Sequence, residues 1–158
     1  MTGYVRATVA GGDGERIAAM AADVAEHPDA GATALRESKY AWAGQLRAGG
    51  RKAEAVKLYK ELASEVKTRQ GAEAAYYVIE SLFEGGDLDA TEKAVFAFSE
   101  REPDSYWLAK AFILLGDVYV RKGDNFQARA TYQSVADGYT PADDGIVDEA
   151  KARIAKLN

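Results

Sequence analysis

Apolar residues in this chain recur at intervals of three and four, the spacing of one face of an α-helix. Three stretches carry such residues eight, seven and four positions ahead of a glycine: Trp42, Ala43 and Leu46; Val78, Ile79 and Leu82; Leu115, Gly116 and Tyr119. Five and nine positions after the same glycines come pairs that share a helical face: Ala55 and Tyr59, Thr91 and Val95, Ala128 and Tyr132. A helix on each side of a glycine predicts a helical hairpin, so the pattern predicts three hairpins.

The glycines themselves are almost evenly spaced. Gly50, Gly86 and Gly123 are separated by 36 residues (86 minus 50) and by 37 residues (123 minus 86). A fixed period of this size is typical of stacked repeats, in which each unit packs on its neighbours and the array presents an extended binding surface. The sequence therefore predicts an all-α fold, an α-solenoid of antiparallel helix hairpins.

The third copy carries the most detailed motif, Phe112, Leu115-Gly116 and Tyr119, then Gly123-Asp124, Ala128, Tyr132 and a closing Pro141. In this series the chain resembles the tetratricopeptide repeat family. The copy around Gly50 departs from the pattern with Trp42-Ala43 in place of Leu-Gly and Lys39 in place of the first aromatic residue, and the copy around Gly86 departs further with Val78-Ile79. The resemblance implies a right-handed superhelix (α-solenoid) and close approach of two helices at Gly116 and Ala128.

A single domain over residues 1–158 follows from this pattern, with a C-terminal capping helix. Its expected parts are a partial repeat (1–29), three repeats (30–69, 70–103 and 104–141) and the cap (142–158). Within the first part we expect a short apolar segment at 4–10 and a helix at 13–26. The cap should be a helix from Ile146 to Leu157, with Asp143 or Asp144 accepting hydrogen bonds at its start. Because no N-terminal cap is evident, we expect the chain to be the C-terminal part of a longer array.

Composition and charge narrow the class of partner. The chain has 25 Asp plus Glu against 20 Lys plus Arg, an acidic balance that disfavours nucleic acid as a ligand. No apolar run approaches the roughly 20 residues of a membrane span. The chain has no cysteine and one histidine, His27, which precedes Pro28. These residues offer neither thiol chemistry nor a zinc site.

The candidate catalytic and metal motifs do not fit their chemistry. Residues 44–52 include glycines and Lys52, but no Ser or Thr follows the lysine and no strand precedes the segment, so a phosphate-binding loop is not expected. The acidic residues at 143, 144, 148 and 149 lack the spacing of a calcium loop, and helix capping explains them better. We therefore expect neither enzymatic activity nor a cofactor nor a metal site.

Function is then expected on the concave surface of the array. In the family that the chain resembles, inward positions lie ten, six and three residues before the turn glycine, with another one turn earlier. Transferred to this sequence, these positions predict a peptide-binding groove formed by Tyr40, Gly44, Arg47, Glu73, Tyr76, Glu80, Phe83, Lys110, Ile113, Asp117 and Val120. Family members that hold a chaperone's C-terminal carboxylate use Lys, Asn and Arg at such positions, so that activity is not expected here.

Aromatic residues beside Glu80 and Asp117 predict an apolar groove with an acidic floor, offset only by Arg47 and Lys110. The expected ligand is a protein or peptide segment that is basic and apolar. An alternative remains open for three of these residues, because Tyr76, Phe83 and Ile113 could instead pack on neighbouring helices. A second function also remains open: a structural array that forms a homo-oligomer or packs on the rest of a longer chain, with Tyr4 and Val5 at its edge.

A further resemblance covers about half of the chain. The strings Leu82-Phe83-Glu84-Gly85-Gly86-Asp87-Leu88, Tyr106 to Leu115, Phe126 to Thr131 and Asp144-Gly145-Ile146-Val147 are similar to the C-terminal ends of tetratricopeptide proteins of Bacteroidota-type bacteria. Many of those are similar to outer-membrane assembly or Tol-Pal accessory factors. The resemblance implies a bacterial protein and favours the periplasm or envelope over the cytoplasm.

Overall fold

The computed structural model describes residues 28–141 and 144–157. Over these ranges the chain is helical and contains no strand, which confirms the all-α prediction. The helices are α1 (Pro28–Ala48), α2 (Lys52–Leu62), α3 (Arg69–Glu84), α4 (Leu88–Glu100), α5 (Ser105–Arg121), α6 (Asn125–Gly138) and α7 (Ile146–Ala155). None of the described helices is both long enough and apolar enough to cross a membrane. The segment expected at 4–10, the helix expected at 13–26 and Asp143 lie outside the described ranges.

Each predicted glycine turn has the backbone conformation that favours glycine. Gly50, Gly86 and Gly123 have φ angles of 82°, 84° and 80°, the left-handed region that other residues avoid. In the turn after α3, the amide of Asp87 donates to the carbonyl of Leu82 at 3.1 Å and that of Gly86 to Phe83 at 3.0 Å, the hydrogen bonds of a Schellman motif. Glycine therefore ends the first helix of each hairpin.

In the second unit, the aspartate after the turn glycine begins the next helix, whereas Arg51 follows Gly50 in the first unit and makes no side-chain cap. Asp87 accepts a hydrogen bond from the amide of Ala90 at 3.1 Å, and Asp124 accepts one from Gln127 at 3.0 Å. These N-caps satisfy backbone amides that the first turn of α4 and of α6 would otherwise leave unpaired. The Gly-Asp pair thus encodes the end of one helix and the start of the next, which explains why both residues recur.

The chain divides into two compact units, 1–64 and 65–158. In the described part of the first unit, α1 packs against α2. The predicted helix faces are buried here: Ala43, Leu46, Ala55 and Tyr59 are each at most 4% exposed.

In the second unit, α3, α5 and α7 lie side by side and run in the same direction. The guanidinium of Arg69, at the start of α3, lies 5.3 Å from the ring centroid of Tyr106 at the start of α5. Arg121, at the end of α5, donates a hydrogen bond to the carbonyl of Phe83 near the end of α3. Helix α4 packs on α3 and α5, and α6 packs on α5 and α7. Neighbouring helices are thus aligned along their length, with contacts separated by one repeat period.

One hydrophobic cluster of the second unit lies between α5, α6 and α7. Ile113, Tyr132 and Ile146 are each at most 2% exposed, and Ala128 and Ala150 are fully buried. A Cβ atom added to Gly116 would lie 2.2 Å from Cε1 of Tyr132, so the absence of a side chain allows the two helices to approach. The close approach expected at Gly116 and Ala128 is confirmed.

Helix α7 begins and packs as the sequence indicates. The amide of Ile146 donates to the carboxylate of Asp144 at 3.2 Å. Ile146 and Ala150 are buried, and Ile154 and Leu157 pack partly buried against the same core. The helix ends at Ala155, two residues before the predicted end. The amide of Lys156 donates to the carbonyls of Ala152 and Arg153 in the last turn.

Candidate functional site

The predicted groove residues divide between the two units. Tyr40, Gly44 and Arg47 lie on α1 in the first unit, where Gly44 is exposed and the other two are half-buried. The remaining eight lie on α3 and α5 in the second unit, and the structure brings those two helices together.

Two of these eight residues are core residues and not surface anchors. Ile113 is 2% exposed because α6 and α7 cover it. Tyr76 is 7% exposed, and its ring centroid lies 5.3 Å from that of Trp107 and 5.7 Å from that of Tyr77. The expectation that Tyr76 and Ile113 face a ligand is therefore wrong for this arrangement, and the packing alternative applies to both.

One of the two carboxylates of the expected acidic floor, that of Asp117, is paired with the capping helix. Arg153 of α7 donates from Nε to one carboxylate oxygen of Asp117 at 3.0 Å and from Nη2 to the other at 3.3 Å. The hydroxyl of Tyr132 also donates to Asp117. Lys110 pairs with Glu149 at 3.2 Å instead of offsetting Asp117. The prediction that only Arg47 and Lys110 balance the groove carboxylates is thus corrected by an ion pair from 36 residues downstream (153 minus 117).

Two tyrosines near these carboxylates are held in their neutral form. Burial raises the pKa of Tyr76, and the nearby carboxylate of Glu80 raises it further by repulsion and as a hydrogen-bond acceptor. Burial likewise raises the pKa of Tyr132, with Asp117 as the second cause. Glu73 and Glu80 are half-buried on α3 and are both engaged in interactions. In this part of the predicted groove, polar side chains form a layer over the core and are joined to one another by hydrogen bonds and ion pairs.

An open cleft lies at the end of this layer, where α3, α5 and α7 finish. Its volume is about 490 Å³, within the range typical of ligand pockets. We call it the terminal cleft; its lining residues are Phe83, Asp117, Val120, Arg121, Tyr132, Arg153, Lys156 and Leu157. Three of them, Phe83, Asp117 and Val120, belong to the predicted groove. Val120 is 40% exposed.

Cations line one part of the terminal cleft. The guanidinium of Arg121 lies 3.9 Å from the centroid of the Phe83 ring and donates to the Phe83 carbonyl at 3.2 Å. Stacking and the hydrogen bond fix its orientation and leave other guanidinium donors available. Lys156 is exposed. Within the described part of the chain, neither Arg121 nor Lys156 has a carboxylate partner.

Five lining residues lie outside the groove predicted from the sequence: Tyr132, which was expected to pack within a hairpin, and Arg121, Arg153, Lys156 and Leu157, which were not expected in any site. The signal that could have found them is the repeat period, because residues one period beyond Phe83 and Asp117 lie on the adjacent parallel helix.

A second cleft, of about 310 Å³, lies between α5 and α6 and is lined by no charged residue. It offers shape but no charge that would orient a ligand. The described residues contain no group of three or more His, Cys, Asp or Glu side chains placed to hold a metal ion.

Comparison with known proteins adds no family to this description. No family model, no curated protein and no solved structure matches the chain.

Proposed function

We propose that this chain is a non-enzymatic interaction module that binds a segment of a partner protein in the terminal cleft. The observation that carries the proposal is an open cleft of about 490 Å³ in which exposed Val120 lies beside Phe83 and Leu157. Exposed apolar side chains in a concave site with a few polar groups are typical of ligand-binding surfaces.

We further propose that the helical hairpins are consecutive repeats of an α-solenoid of tetratricopeptide type. The supporting observations are the recurring left-handed glycines and the parallel alignment of α3, α5 and α7. In such an arrangement each helical hairpin buries its apolar face against the next hairpin, and α7 covers the apolar face of the last hairpin. The terminal cleft is then the end of the concave surface.

The groups in the cleft suit binding better than catalysis. The Asp117 carboxylate already accepts hydrogen bonds from Arg153 and Tyr132. A nucleophile or general base would need a free group within hydrogen-bond reach of a reacting atom. We therefore assign the cleft a recognition role.

The test is a selection from a random peptide library against the wild-type chain, followed by binding measurements on the Val120→Gln variant. Phe96→Gln is the matched control, because Phe96 is 44% exposed on α4 and does not line the cleft. We expect an enriched peptide family whose affinity falls about tenfold in Val120→Gln and is unchanged in Phe96→Gln. No enrichment, or equal binding to wild type and Val120→Gln, would contradict the proposal.

A second candidate function is self-association through a different surface. Phe126 near the start of α6 is 84% exposed, and it lies outside the cleft. If this side chain mediates assembly, light scattering should show concentration-dependent association that Phe126→Gln removes. The edge predicted at Tyr4 and Val5 lies outside the described residues.

A further inference from the structure

We infer that the partner segment is acidic, with an apolar side chain next to its carboxylate. This inference rests on the proposed function of the terminal cleft and adds the chemistry of its ligand. It differs from the basic ligand expected from the sequence, because the structure pairs Asp117 with Arg153 and leaves other cations facing the cleft.

Charge is the first argument. Arg121, Arg153 and Lys156 line the cleft against a single carboxylate, Asp117. Arg153 and Asp117 form a two-point ion pair, which leaves the charges of Arg121 and Lys156 uncompensated by any described carboxylate within ion-pair distance. The partial negative charge at helix C-termini, about half a unit each, offsets only part of this charge. A carboxylate entering the cleft would therefore meet a favourable potential.

The positioning of Arg121 is the second argument. Most exposed arginines lose side-chain freedom when they bind an anion. Here the ring of Phe83 lies under the guanidinium at 3.9 Å and the Phe83 carbonyl accepts one of its hydrogen bonds. Since the side chain is already ordered, less entropy is lost on binding, and the planar guanidinium can present two donors to one carboxylate.

The apolar wall is the third argument, and it favours a peptide over a small anion. Val120 and Leu157 line the cleft beside these cations. An inorganic anion would contact the cations and gain nothing from Val120. A segment with Asp or Glu next to Leu or Phe can satisfy both kinds of surface at once.

The experiment uses three fluorescein-labelled hexapeptide pools of equal apolar content. The acidic pool contains Asp and Glu, the basic pool contains Lys and Arg, and the uncharged pool contains Asn and Gln. Fluorescence anisotropy measures their affinity for the full chain, for Lys156→Gln and for Lys156→Glu. Lys151→Gln is the control, since Lys151 is exposed on α7, the helix that Lys156 follows, and does not line the cleft. Circular dichroism confirms that each variant is folded.

We expect the acidic pool to bind tightest and its affinity to fall about fivefold in Lys156→Gln, the effect of losing one exposed ion pair. Lys156→Glu should lower it further, Lys151→Gln should leave it unchanged, and raising the salt concentration should weaken it. Preferential binding of the basic or uncharged pool, blocked by Val120→Gln, would overturn the acidic ligand and leave the proposed function in place. Binding of no pool would overturn both. If inorganic phosphate displaced the peptide fully at concentrations near the dissociation constant of the peptide, the cleft would be a small-anion site and the peptide assignment would be overturned.

Discussion

Substituting Gly116 with alanine tests whether the helices of the last hairpin touch as closely as the structure indicates. The added Cβ would lie 2.2 Å from Cε1, 2.6 Å from Cδ1 and 2.7 Å from Cζ of Tyr132. Ordinary van der Waals contact begins near 3.4 Å, so the ring must move by about 1.2 Å (3.4 minus 2.2). Tyr132 is only 1% exposed, and its hydroxyl is bonded to Asp117, so it has little room to move.

The expected loss of stability is the sum of two costs minus one gain. Overpacking a closed interface costs about 1–3 kcal/mol, and weakening a hydrogen bond to a charged acceptor costs about 1.5 kcal/mol. Replacing glycine by alanine inside a helix returns about 1 kcal/mol. The net loss should be about 2 kcal/mol, which corresponds to a fall of roughly 10 °C in melting temperature for a unit of this size.

Urea unfolding followed by far-ultraviolet circular dichroism measures this difference. Gly138→Ala is the control, because Gly138 is also on a helix of the second unit and a Cβ there would meet nothing within 4 Å. The loss should shrink when Tyr132→Leu is introduced beside Gly116→Ala, since the smaller side chain removes the contact. A Gly116→Ala variant as stable as wild type, or an equal loss in both backgrounds, would refute the reasoning.

Three further predictions concern other parts of the second unit. Gly123→Ala should cost about 1–2 kcal/mol in urea unfolding, because a φ of 80° is strained for alanine, and unchanged stability would count against the turn geometry. Asp117→Asn should cost about 1–3 kcal/mol, because it removes the two-point charged partner of the half-buried Arg153 guanidinium and leaves the Glu149 carboxylate at 3.4 Å, and a loss that persisted in the Arg153→Met background would argue against the pair. Burial and the acceptor Asp144 raise the pKa of Tyr139 to about 12, so this phenol favours folding below its unfolded pKa of about 10 and the contribution is lost as the pH rises toward 12. Unfolding measured across that range should therefore show a steeper loss for wild type than for Tyr139→Phe, and parallel profiles would contradict it.

Local features of the fold could be predicted from the sequence because their causes are local. A left-handed glycine followed by a capping aspartate ends one helix and begins another within three residues, so Gly86-Asp87 and Gly123-Asp124 were sufficient to indicate the hairpins. The buried pair Ala128 and Tyr132 followed from helical spacing for the same reason.

The site depended on contacts that spacing does not determine. Ile113 was expected to face a ligand because its position in the repeat points inward, yet whether α7 covers it depends on how the cap packs. The pairing of Asp117 with Arg153 depends on the register between α5 and α7, and a shift of one residue would separate them. Trp107, which contacts Tyr76, was absent from the predicted set because no motif marks it.

The most direct test of the account is chemical-shift mapping of the ¹⁵N-labelled full chain with the tightest-binding acidic peptide. The account predicts that the largest changes fall on Val120, Arg121, Lys156 and Leu157, which line the terminal cleft, and that Phe96 and Phe126 on other surfaces are unaffected. Changes concentrated around Phe96 or Phe126, with the cleft resonances unmoved, would contradict it.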